Sequence, residues 1–310
     1  MLRDDGMRPF AFVFPGQGSQ RQGMLDAVPE TEDMDRLVDA AEALSGLELR
    51  AIAALGTDED LADTRVAQPL LYLTDWAWAN ALIDAGLSPD AVAGHSLGEF
   101  AALAIAEVFS VEAGLELVVE RSRLMASVAA ATPGGMIAVL GMDREVVADL
   151  IAPMSGVWLA NDNGPGQVIL SGTPKGLDKA TAELTAAGAR RIVPLKVSGP
   201  FHSPLMEPAR EAFAEILSQA DFAPALVPVL QNTDPTPATD PELIKSRLAL
   251  QITAPVRWTE TILALRDMGV EVLVEAGPGA VLKGLARKVE GVEAAAVEDA
   301  GIESIVEEVL

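Results

Sequence analysis

The chain has 310 residues, enough for one large domain or two unequal domains with a sizeable core, since a domain typically has about 150 residues. Apolar residues make up 50% of it, and its 26 Gly and 20 Pro residues follow no fixed period, which excludes disorder and collagen. The net charge of −24 argues against nucleic acid as a partner, because nucleic-acid binders present a basic surface.

Few residue types are available for redox or metal chemistry. The chain has no Cys, so disulfides, thiolate metal sites and cysteine nucleophiles are excluded. Its two histidines, His95 and His202, are too few for a zinc site built on several imidazoles. A site for Mg²⁺ built only on carboxylates is the alternative left open, although the acidic residues lack the spacing that is typical of one. We therefore expect no bound metal.

The sequence contains no pattern typical of a targeting or membrane segment. Residues 1–10 carry charges where a signal peptide needs a continuous apolar region, and the next apolar stretch stops at Pro15. The most apolar long stretch, 91–109, contains His95 and Glu99 and lacks the roughly 20 uninterrupted apolar residues of a membrane helix. We expect a cytoplasmic protein with no membrane partner.

The first part of the chain alternates short buried strands with helices. Phe10–Phe14 is an apolar run ended by Pro-Gly, which favours a buried strand over a helix. Helical patterns cover about 31–45 and 67–85, and a second short strand, Ala91–Gly94, leads directly into a helix near Leu97. This alternation predicts the α/β class, with a parallel sheet covered on both faces.

The segment 128–197 has a different pattern, in which strands and helices follow the order βαββαβ. This order is the split βαβ arrangement of a ferredoxin-like unit, and roughly 70 residues suffice for a small subdomain. We predict that it is inserted into a large parallel-sheet, α/β-hydrolase-like catalytic subdomain made of 1–127 and 198–310. A strand at 270–275 and one last long helix after Gly279 are expected near the end. The small subdomain has predicted strands at 136–140, 157–160, 167–171 and 191–195 and predicted helices at 143–152 and 174–187.

The motif Gly94-His-Ser-Leu-Gly98 matches the G-x-S-x-G pattern of a nucleophile elbow, with the expected strand before it and helix after it. Glycines two residues to either side of Ser96 are needed because side chains there would collide in so sharp a turn. The helix start also supplies backbone N–H groups that stabilise negative charge. Ser96 is therefore the candidate nucleophile, and a serine that only caps the helix is the alternative.

A serine hydroxyl needs a base to accept its proton, and only His95 and His202 carry an imidazole. Consecutive residues at a sharp turn point in different directions, so we expect His95 to have a packing or hydrogen-bonding role. His202 lies in a loop bracketed by Pro200 and Pro204, which can hold an imidazole rigidly. We predict that His202 is the base, with a purely structural histidine as the alternative.

No acid between Ser96 and His202 has the signature of a third catalytic residue, so a backbone carbonyl is the expected partner of the histidine.

The loop 15–20 lacks the lysine of a phosphate-binding loop, and its G-x-G-x-x-G match fails at Arg21. The loop can instead turn the backbone N–H of Gln17 toward the elbow as part of an oxyanion hole. A tight turn without that role is the alternative.

Six motifs together resemble those of the malonyl-CoA:acyl carrier protein transacylases, in the same order and over nearly the whole chain. The length is similar to that of the free-standing enzymes of dissociated fatty-acid synthesis. Any one motif is weak evidence, but six in register are specific. They are Phe12-Val-Phe-Pro-Gly-Gln-Gly-Ser-Gln20, Gly94-His-Ser-Leu-Gly-Glu99, Glu120-Arg-Ser-Arg-Leu-Met125, Gly199-Pro-Phe-His202, Gln251-Ile-Thr-Ala-Pro-Val-Arg-Trp258 and Glu275-Ala-Gly-Pro-Gly279.

The resemblance implies a role for the residues at the catalytic positions. Ser96 would carry the acyl ester, and His202 would act first as base and then as acid. Gln17 and Leu97 would donate backbone N–H groups to the oxyanion. The backbone carbonyl of Gln251 would orient the histidine, which agrees with the missing third acid.

The resemblance also implies three substrate-binding residues. Arg121 matches the arginine that pairs with the free carboxylate of the malonyl group, and a guanidinium fork suits a carboxylate. Phe201 matches the bulky residue that accompanies preference for malonyl over methylmalonyl. Met125, in the same motif as Arg121, would line the substrate pocket, whereas Arg123 is expected to be an ordinary surface arginine.

The activity implied by the resemblance is a two-step transfer of a malonyl group from malonyl-CoA, through Ser96, to an acyl carrier protein for fatty-acid elongation. CoA and the carrier's 4′-phosphopantetheine would be substrate moieties, with no bound cofactor and no metal. A serine esterase or thioesterase with the same elbow is the alternative enzyme. A catalytically silent scaffold that binds the carrier is the third hypothesis.

The carrier partner raises an electrostatic question, because acyl carrier proteins are acidic and this chain is acidic too. We expect a local basic patch near the cleft, since local fields steer docking more than net charge does. Dispersed solvated charges are the alternative. The candidates for this basic patch are Arg190, Arg191, Lys196, Lys283, Arg287 and Lys288.

Overall fold

The computed structural model describes residues 6–310. Residues 1–5, which belong to the start examined for a signal peptide and to the predicted large subdomain, lie outside the described residues. The elements in chain order are β1 (Phe10–Phe14), α1 (Met24–Ala27), α2 (Glu32–Ser45), α3 (Leu49–Leu55), α4 (Asp58–Ala62), α5 (Thr64–Asp84), β2 (Ala91–Gly94), α6 (Gly98–Ile105), α7 (Val111–Ala131), β3 (Gly135–Leu140), α8 (Arg144–Ile151), β4 (Val157–Gly164), β5 (Gln167–Gly172), α9 (Pro174–Ala186), β6 (Arg191–Pro194), a 3₁₀ turn (Pro204–Met206), α10 (Glu207–Gln219), β7 (Val229–Leu230), α11 (Pro241–Leu248), α12 (Trp258–Asp267), β8 (Val272–Glu275), α13 (Val281–Ala286), β9 (Glu293–Ala296), α14 (Val297–Ala300) and α15 (Ile302–Val309).

A five-stranded parallel sheet with strand order β7-β2-β1-β8-β9 forms the centre of the fold. The middle strand β1 is buried along its whole length, which explains its unbroken apolar sequence. Its alternate residues face opposite sides: Phe10, Phe12 and Phe14 pack with α5, α6 and α7, whereas Ala11 and Val13 pack with α12 and α13. The predicted parallel sheet with helices on both faces is therefore confirmed.

A second sheet is antiparallel throughout and has the strand order β4-β5-β3-β6. Its elements β3, α8, β4, β5, α9 and β6 follow the predicted order βαββαβ. Strand β4 is longer than predicted, because it continues to Gly164 through two register shifts against β5. Such bulges redirect side chains, and here they bring Asn161 and Asn163 to the side chain of His95.

The end of the chain differs from the prediction of one long helix after Gly279. Helix α13 stops at Ala286, strand β9 then pairs in parallel with β8, and two short helices complete the chain. The sequence of β9 is Glu-Ala-Ala-Ala, which has weak strand propensity. The edge of β8 offers unpaired backbone groups, and pairing with them outweighs the local helical preference.

Helices α5 and α7 are the longest, with 21 residues each. They pack side by side and carry Gln68 and Arg121 to the carboxyl ends of the parallel strands, where ligand sites of open α/β sheets usually lie. Among residues 6–310, no helix combines the length and the apolar character that crossing a bilayer requires.

Candidate active site

Ser96 lies on the sharp turn between β2 and α6. Its backbone φ is 52°, a left-handed conformation that is uncommon for a residue with a side chain and is typical of strained functional turns. A Cβ on Gly94 would lie 1.9 Å from the backbone of Gly98, and a Cβ on Gly98 would lie 2.1 Å from the carbonyl oxygen of Phe14. Only glycine fits at these two positions, in agreement with the steric reason inferred from the motif.

His202 forms a hydrogen bond with Ser96. Its Nε2 lies 2.8 Å from Ser96 Oγ. On the other side of the ring, Nδ1 lies 3.1 Å from the carbonyl oxygen of Gln251 and 3.0 Å from that of Ala254. Carbonyl oxygens only accept hydrogen bonds, so Nδ1 carries the proton and Nε2 is left to accept the proton of the serine.

The pKa of His202 is lowered to about 3. Burial of the ring is the main cause, and the positive charge of Arg121 adds to it. The imidazole is therefore neutral at physiological pH, which is the protonation state that a general base needs.

Arg121 reaches the same site from the middle of α7. It is 1% exposed, and its Nη1 donates to Gln68 Oε1 at 2.7 Å. Its Nη2 donates to Gln251 Oε1 at 2.8 Å and to Ser96 Oγ at 3.3 Å. All three hydrogen-bond partners are neutral, and the guanidinium also lies 5.5 Å from the centroid of the Phe100 ring. Within residues 6–310, the cationic group is thus held in place without a directly bonded carboxylate.

Burial lowers the pKa of Arg121 to about 10, while the charge of Glu99 acts in the opposite direction. The guanidinium therefore stays charged at neutral pH. A buried cation with only neutral hydrogen-bond partners is a good binding group for an anion that enters the cavity, because a desolvated charge gains most from a paired opposite charge.

A cavity of about 230 Å³ lies beside Ser96. Seven of the eight predicted site residues line it, and the side chains of Phe201 and Met125 contribute apolar surface. Gln251 does not line the cavity: it lies behind His202, to which it presents its backbone carbonyl. The structure therefore brings all eight residues to one place, although their chemical roles remain predictions.

Gln17 and Leu97 both line this cavity next to the elbow. The side chain of Gln17 is held by Thr64 Oγ1 at 3.2 Å and by the carbonyl oxygen of Ala62 at 3.1 Å. Within residues 6–310, neither the Gln17 nor the Leu97 backbone N–H donates to an acceptor. Both groups are therefore available to a negatively charged oxygen, as an oxyanion hole requires.

His95 has the hydrogen-bonding role that the sequence predicts for it. Its Nε2 lies 2.8 Å from Asn163 Oδ1, and its ring packs edge-on against Trp258 with 5.5 Å between centroids. It forms no hydrogen bond with Ser96 in the described part of the chain.

Sequence reasoning missed four residues that contact the site. Gln68 holds Arg121, and Ala254 provides the second carbonyl for His202. Asn232 binds the backbone of the elbow, and Glu99 in turn binds the backbone of Asn232. Glu99 and Ala254 stand in motifs quoted above, but position in a motif does not reveal the buried contact of Glu99 or the direction of the Ala254 carbonyl. Gln68 and Asn232 lie outside the six motifs.

Residues 6–310 contain no group of three or more His, Cys, Asp or Glu side chains arranged to hold a metal ion.

Comparisons with known proteins identify the family. Residues 11–303 match the model of the acyl transferase domain. A malonyl CoA-acyl carrier protein transacylase of Synechocystis sp. is 42% identical over 90% of this chain and 92% of its own length. A crystal structure of the Synechocystis malonyl-CoA:ACP transacylase covers 93% of this chain and 96% of its own, at 40% identity and a TM-score of 0.87.

A third relative was solved as a type II polyketide synthase acyl-carrier protein in complex with its malonyl-transacylase. It matches with a TM-score of 0.90 and 35% identity, over 97% of this chain and 99% of that one. The matches span nearly the whole chain, and the mixed α/β fold with a parallel sheet is common to them. The chain therefore belongs to the acyl transferase domain family, within the group of malonyl-CoA:acyl carrier protein transacylases.

Proposed function

We propose that this protein transfers a malonyl group from malonyl-CoA to the phosphopantetheine thiol of an acyl carrier protein, through a malonyl ester on Ser96. The observation that supports this most is the 2.8 Å hydrogen bond between Ser96 and a neutral His202, next to the buried cation of Arg121. The names of the relatives support the two substrates. The product supplies fatty-acid chain elongation, and the proposed location is the cytoplasm.

In the first half-reaction, Ser96 Oγ attacks the thioester carbonyl while His202 Nε2 takes the serine proton. The carbonyl oxygen becomes negative and is stabilised by the N–H groups of Gln17 and Leu97. When this intermediate collapses, the carbon–sulfur bond breaks and the CoA sulfur leaves with the proton from His202. The products are the malonyl ester of Ser96 and free CoA.

The second half-reaction runs through the same atoms. The thiol of the carrier gives its proton to His202 and its sulfur attacks the ester carbonyl. Collapse of the oxyanion breaks the ester bond, and His202 returns the proton to Ser96 Oγ. Two backbone carbonyls, those of Gln251 and Ala254, keep the imidazole oriented and accept from Nδ1–H when the ring becomes charged. The mechanism needs no carboxylate as a third catalytic residue.

Arg121 selects the acyl group in this proposal. Its fixed guanidinium pairs with the free carboxylate of malonyl, whereas acetyl or a long acyl chain would leave the buried cation unpaired. Phe201 and Met125 form the wall next to it, and the bulk of the Phe201 ring disfavours an added α-methyl group. Clamping of the carboxylate also keeps the ester oriented toward an incoming thiol rather than toward stray water.

The proposed domain organisation is a ferredoxin-like subdomain, 128–197, inserted into an α/β-hydrolase-like catalytic subdomain made of 1–127 and 198–310. Its support is the antiparallel sheet with a separate apolar core under α8 and α9. The cavity draws lining residues from both parts, with Ile169 and Leu195 on one side and Ser96 on the other. A site between subdomains is a common location for a substrate.

The acyl carrier protein is proposed to dock on the basic patch defined above. The residues of the patch lie on two segments that border the cavity. One is 190–197, which includes β6, and the other is α13 with the residues that follow it. Within the described residues, Lys283 forms an ion pair, with Asp299 at 3.4 Å, and Lys288 donates to Gln167 at 2.7 Å. Arg190, Arg191 and Arg287 are exposed. Positive charge at the rim would attract an acidic carrier.

Reversal of two of these charges tests the docking surface. We expect Arg190→Glu with Arg191→Glu to raise the carrier KM about tenfold, since exposed charges steer association by roughly 1 kcal/mol each or less. The rate of malonyl loading from malonyl-CoA should not change. Steady-state kinetics with each substrate varied separately measures both. Arg36→Glu on α2, outside the basic patch, is the matched control, and unchanged carrier kinetics in the double variant would remove this docking proposal.

The pH dependence of kcat/KM for malonyl-CoA follows from the low pKa of His202. Because that pKa is about 3, the base stays neutral and active as the pH falls from 8 to about 5. A base with the ordinary pKa of 6.5 would lose half of the rate at pH 6.5 and about thirtyfold by pH 5. We expect a flat profile over this range, with recovery on return to neutral pH as the control for unfolding. An acid limb centred near pH 6.5 would contradict the assignment.

The fate of the loaded enzyme distinguishes a transferase from a serine esterase or thioesterase. Purified protein is loaded with malonyl-CoA, freed of excess substrate and mixed with the phosphopantetheine form of a carrier protein, and then malonyl-carrier and free malonate are quantified. We expect most of the malonyl group on the carrier. Release of mainly free malonate, at the same rate with and without carrier, would favour the hydrolase.

A further inference from the structure

Side chains from outside the elbow hold every polar atom of Ser96. The Ser96 backbone N–H donates to Asn232 Oδ1 at 2.7 Å, and its backbone carbonyl accepts from Gln251 Nε2 at 2.8 Å. Its hydroxyl contacts His202 and Arg121. The hydroxyl contacts belong to the chemistry already described, whereas the backbone contacts act on the strained φ of 52°.

Asn232 lies two residues after the end of strand β7 and is fully buried. While its Oδ1 accepts from Ser96 N–H, its Nδ2 donates to the carbonyl oxygen of Gly94 at 2.6 Å. One amide group therefore binds the chain on both sides of His95, one residue before and one residue after it. An amide is suited to this because it accepts and donates at once.

Asn232 is itself held in place from behind. Its backbone N–H donates to Glu99 Oε2 at 2.9 Å, and Glu99 Oε1 accepts from Gln231 Nε2 at 3.0 Å. Glu99 is in the first turn of α6, the helix that starts at the elbow. The buried carboxylate thus couples the start of this helix to the segment that carries Asn232.

We infer that Asn232 is a positioning residue for acyl transfer, which fixes the Ser96 turn so that Oγ and the Leu97 N–H point into the cavity together. A left-handed φ at a residue with a side chain is strained and persists only where neighbouring groups enforce it. Without the amide, Ser96 N–H and the Gly94 carbonyl lose their partner, and the turn can relax. The nucleophile and one oxyanion donor then move away from the attacking geometry. This inference rests on the proposed function of Ser96.

Two variants separate positioning from simple stability. Asn232→Asp keeps the shape and an acceptor for Ser96 N–H but places an oxygen against the Gly94 carbonyl, and Asn232→Ala removes both hydrogen bonds. We expect the single-turnover rate of Ser96 malonylation to fall about 100-fold, since misplacement by about 1 Å costs that much. The KM for malonyl-CoA should stay within about threefold, because the contacts of Arg121 are separate.

Tyr72→Phe is the matched control. It removes one buried hydrogen bond, from the tyrosine hydroxyl to the Val111 carbonyl at 2.9 Å, and has no contact with Ser96. We expect a lower Tm with a loading rate within twofold of the parent. Rates are compared at a temperature where circular dichroism finds every variant folded.

The outcomes are distinguishable. A loading rate that falls in both Asn232 variants but not in Tyr72→Phe supports positioning. Parental loading rates in the Asn232 variants, with or without a lower Tm, would overturn it, as would a rise in KM at an unchanged rate. If the unmodified protein forms no malonyl ester at all, the proposed function fails first, and the inference falls with it.

Discussion

Replacement of His202 by alanine is expected to slow the formation of the Ser96 ester by about 10³-fold or more. The imidazole is the only side chain base in hydrogen-bond contact with Ser96 Oγ in the described part of the chain, and general base catalysis contributes roughly 10² to 10⁴-fold. The other contact of Oγ is a guanidinium, which only donates and cannot take the proton. Rapid-quench mass spectrometry with malonyl-CoA measures the loading rate directly.

Added imidazole provides an internal check on this variant. Removal of the buried ring in His202→Ala leaves a space next to the carbonyl oxygens of Gln251 and Ala254. These two carbonyls can orient a free imidazole as they orient the side chain. We expect the loading rate of His202→Ala to rise with imidazole concentration, while the unmodified protein does not respond. A His202→Ala variant that loads within tenfold of the parent rate would show that another group is the base.

Replacement of Arg121 by alanine is expected to lower kcat/KM for malonyl-CoA by about 10²-fold or more. Removal of one partner from a buried ion pair costs about 3 kcal/mol, because the malonyl carboxylate is then left desolvated without a partner. Acetyl-CoA lacks that carboxylate, so the rate of loading from acetyl-CoA should not fall. The predicted result is a loss of the preference for malonyl over acetyl, measured in competition by intact-protein mass spectrometry.

Arg123→Ala is the matched control on the same helix. This arginine is exposed and pairs with Glu120 on the surface of α7, away from the cavity. Its loss should change neither loading rate, because exposed ion pairs contribute little. Equal losses for malonyl-CoA and acetyl-CoA in Arg121→Ala would mean that Arg121 supports the fold of the site rather than the choice of substrate.

The fold could be predicted where the local pattern and the tertiary environment agree. Strands β1 and β2 are buried on both faces, so their continuous apolar runs identify them, and the order of β3 to β6 follows from clear turn signals. Strand β9 could not be predicted, because Glu293–Ala296 has no strand pattern of its own and is defined by the edge of β8.

The residues of the site also differ in whether the local sequence reveals them. Ser96 could be found because a sharp elbow imposes glycines at fixed distances, and His202 because the chain has so few histidines. Asn232 and Gln68 could not be found, since each acts through a hydrogen bond to a residue far along the chain, and nothing in the neighbouring sequence marks them. Glu99 lies inside a motif, but its buried contact with Asn232 depends on how β7 pairs with β2.

Intact-protein mass spectrometry detects the malonyl ester on Ser96, the intermediate on which the two-step transfer depends. The protein and its Ser96→Ala variant are mixed briefly with malonyl-CoA, methylmalonyl-CoA or acetyl-CoA. We expect one malonyl group on the unmodified protein, much less of the other two acyl groups, and none on Ser96→Ala. No adduct on the unmodified protein, or an adduct that persists in Ser96→Ala, would rule out a malonyl ester on Ser96.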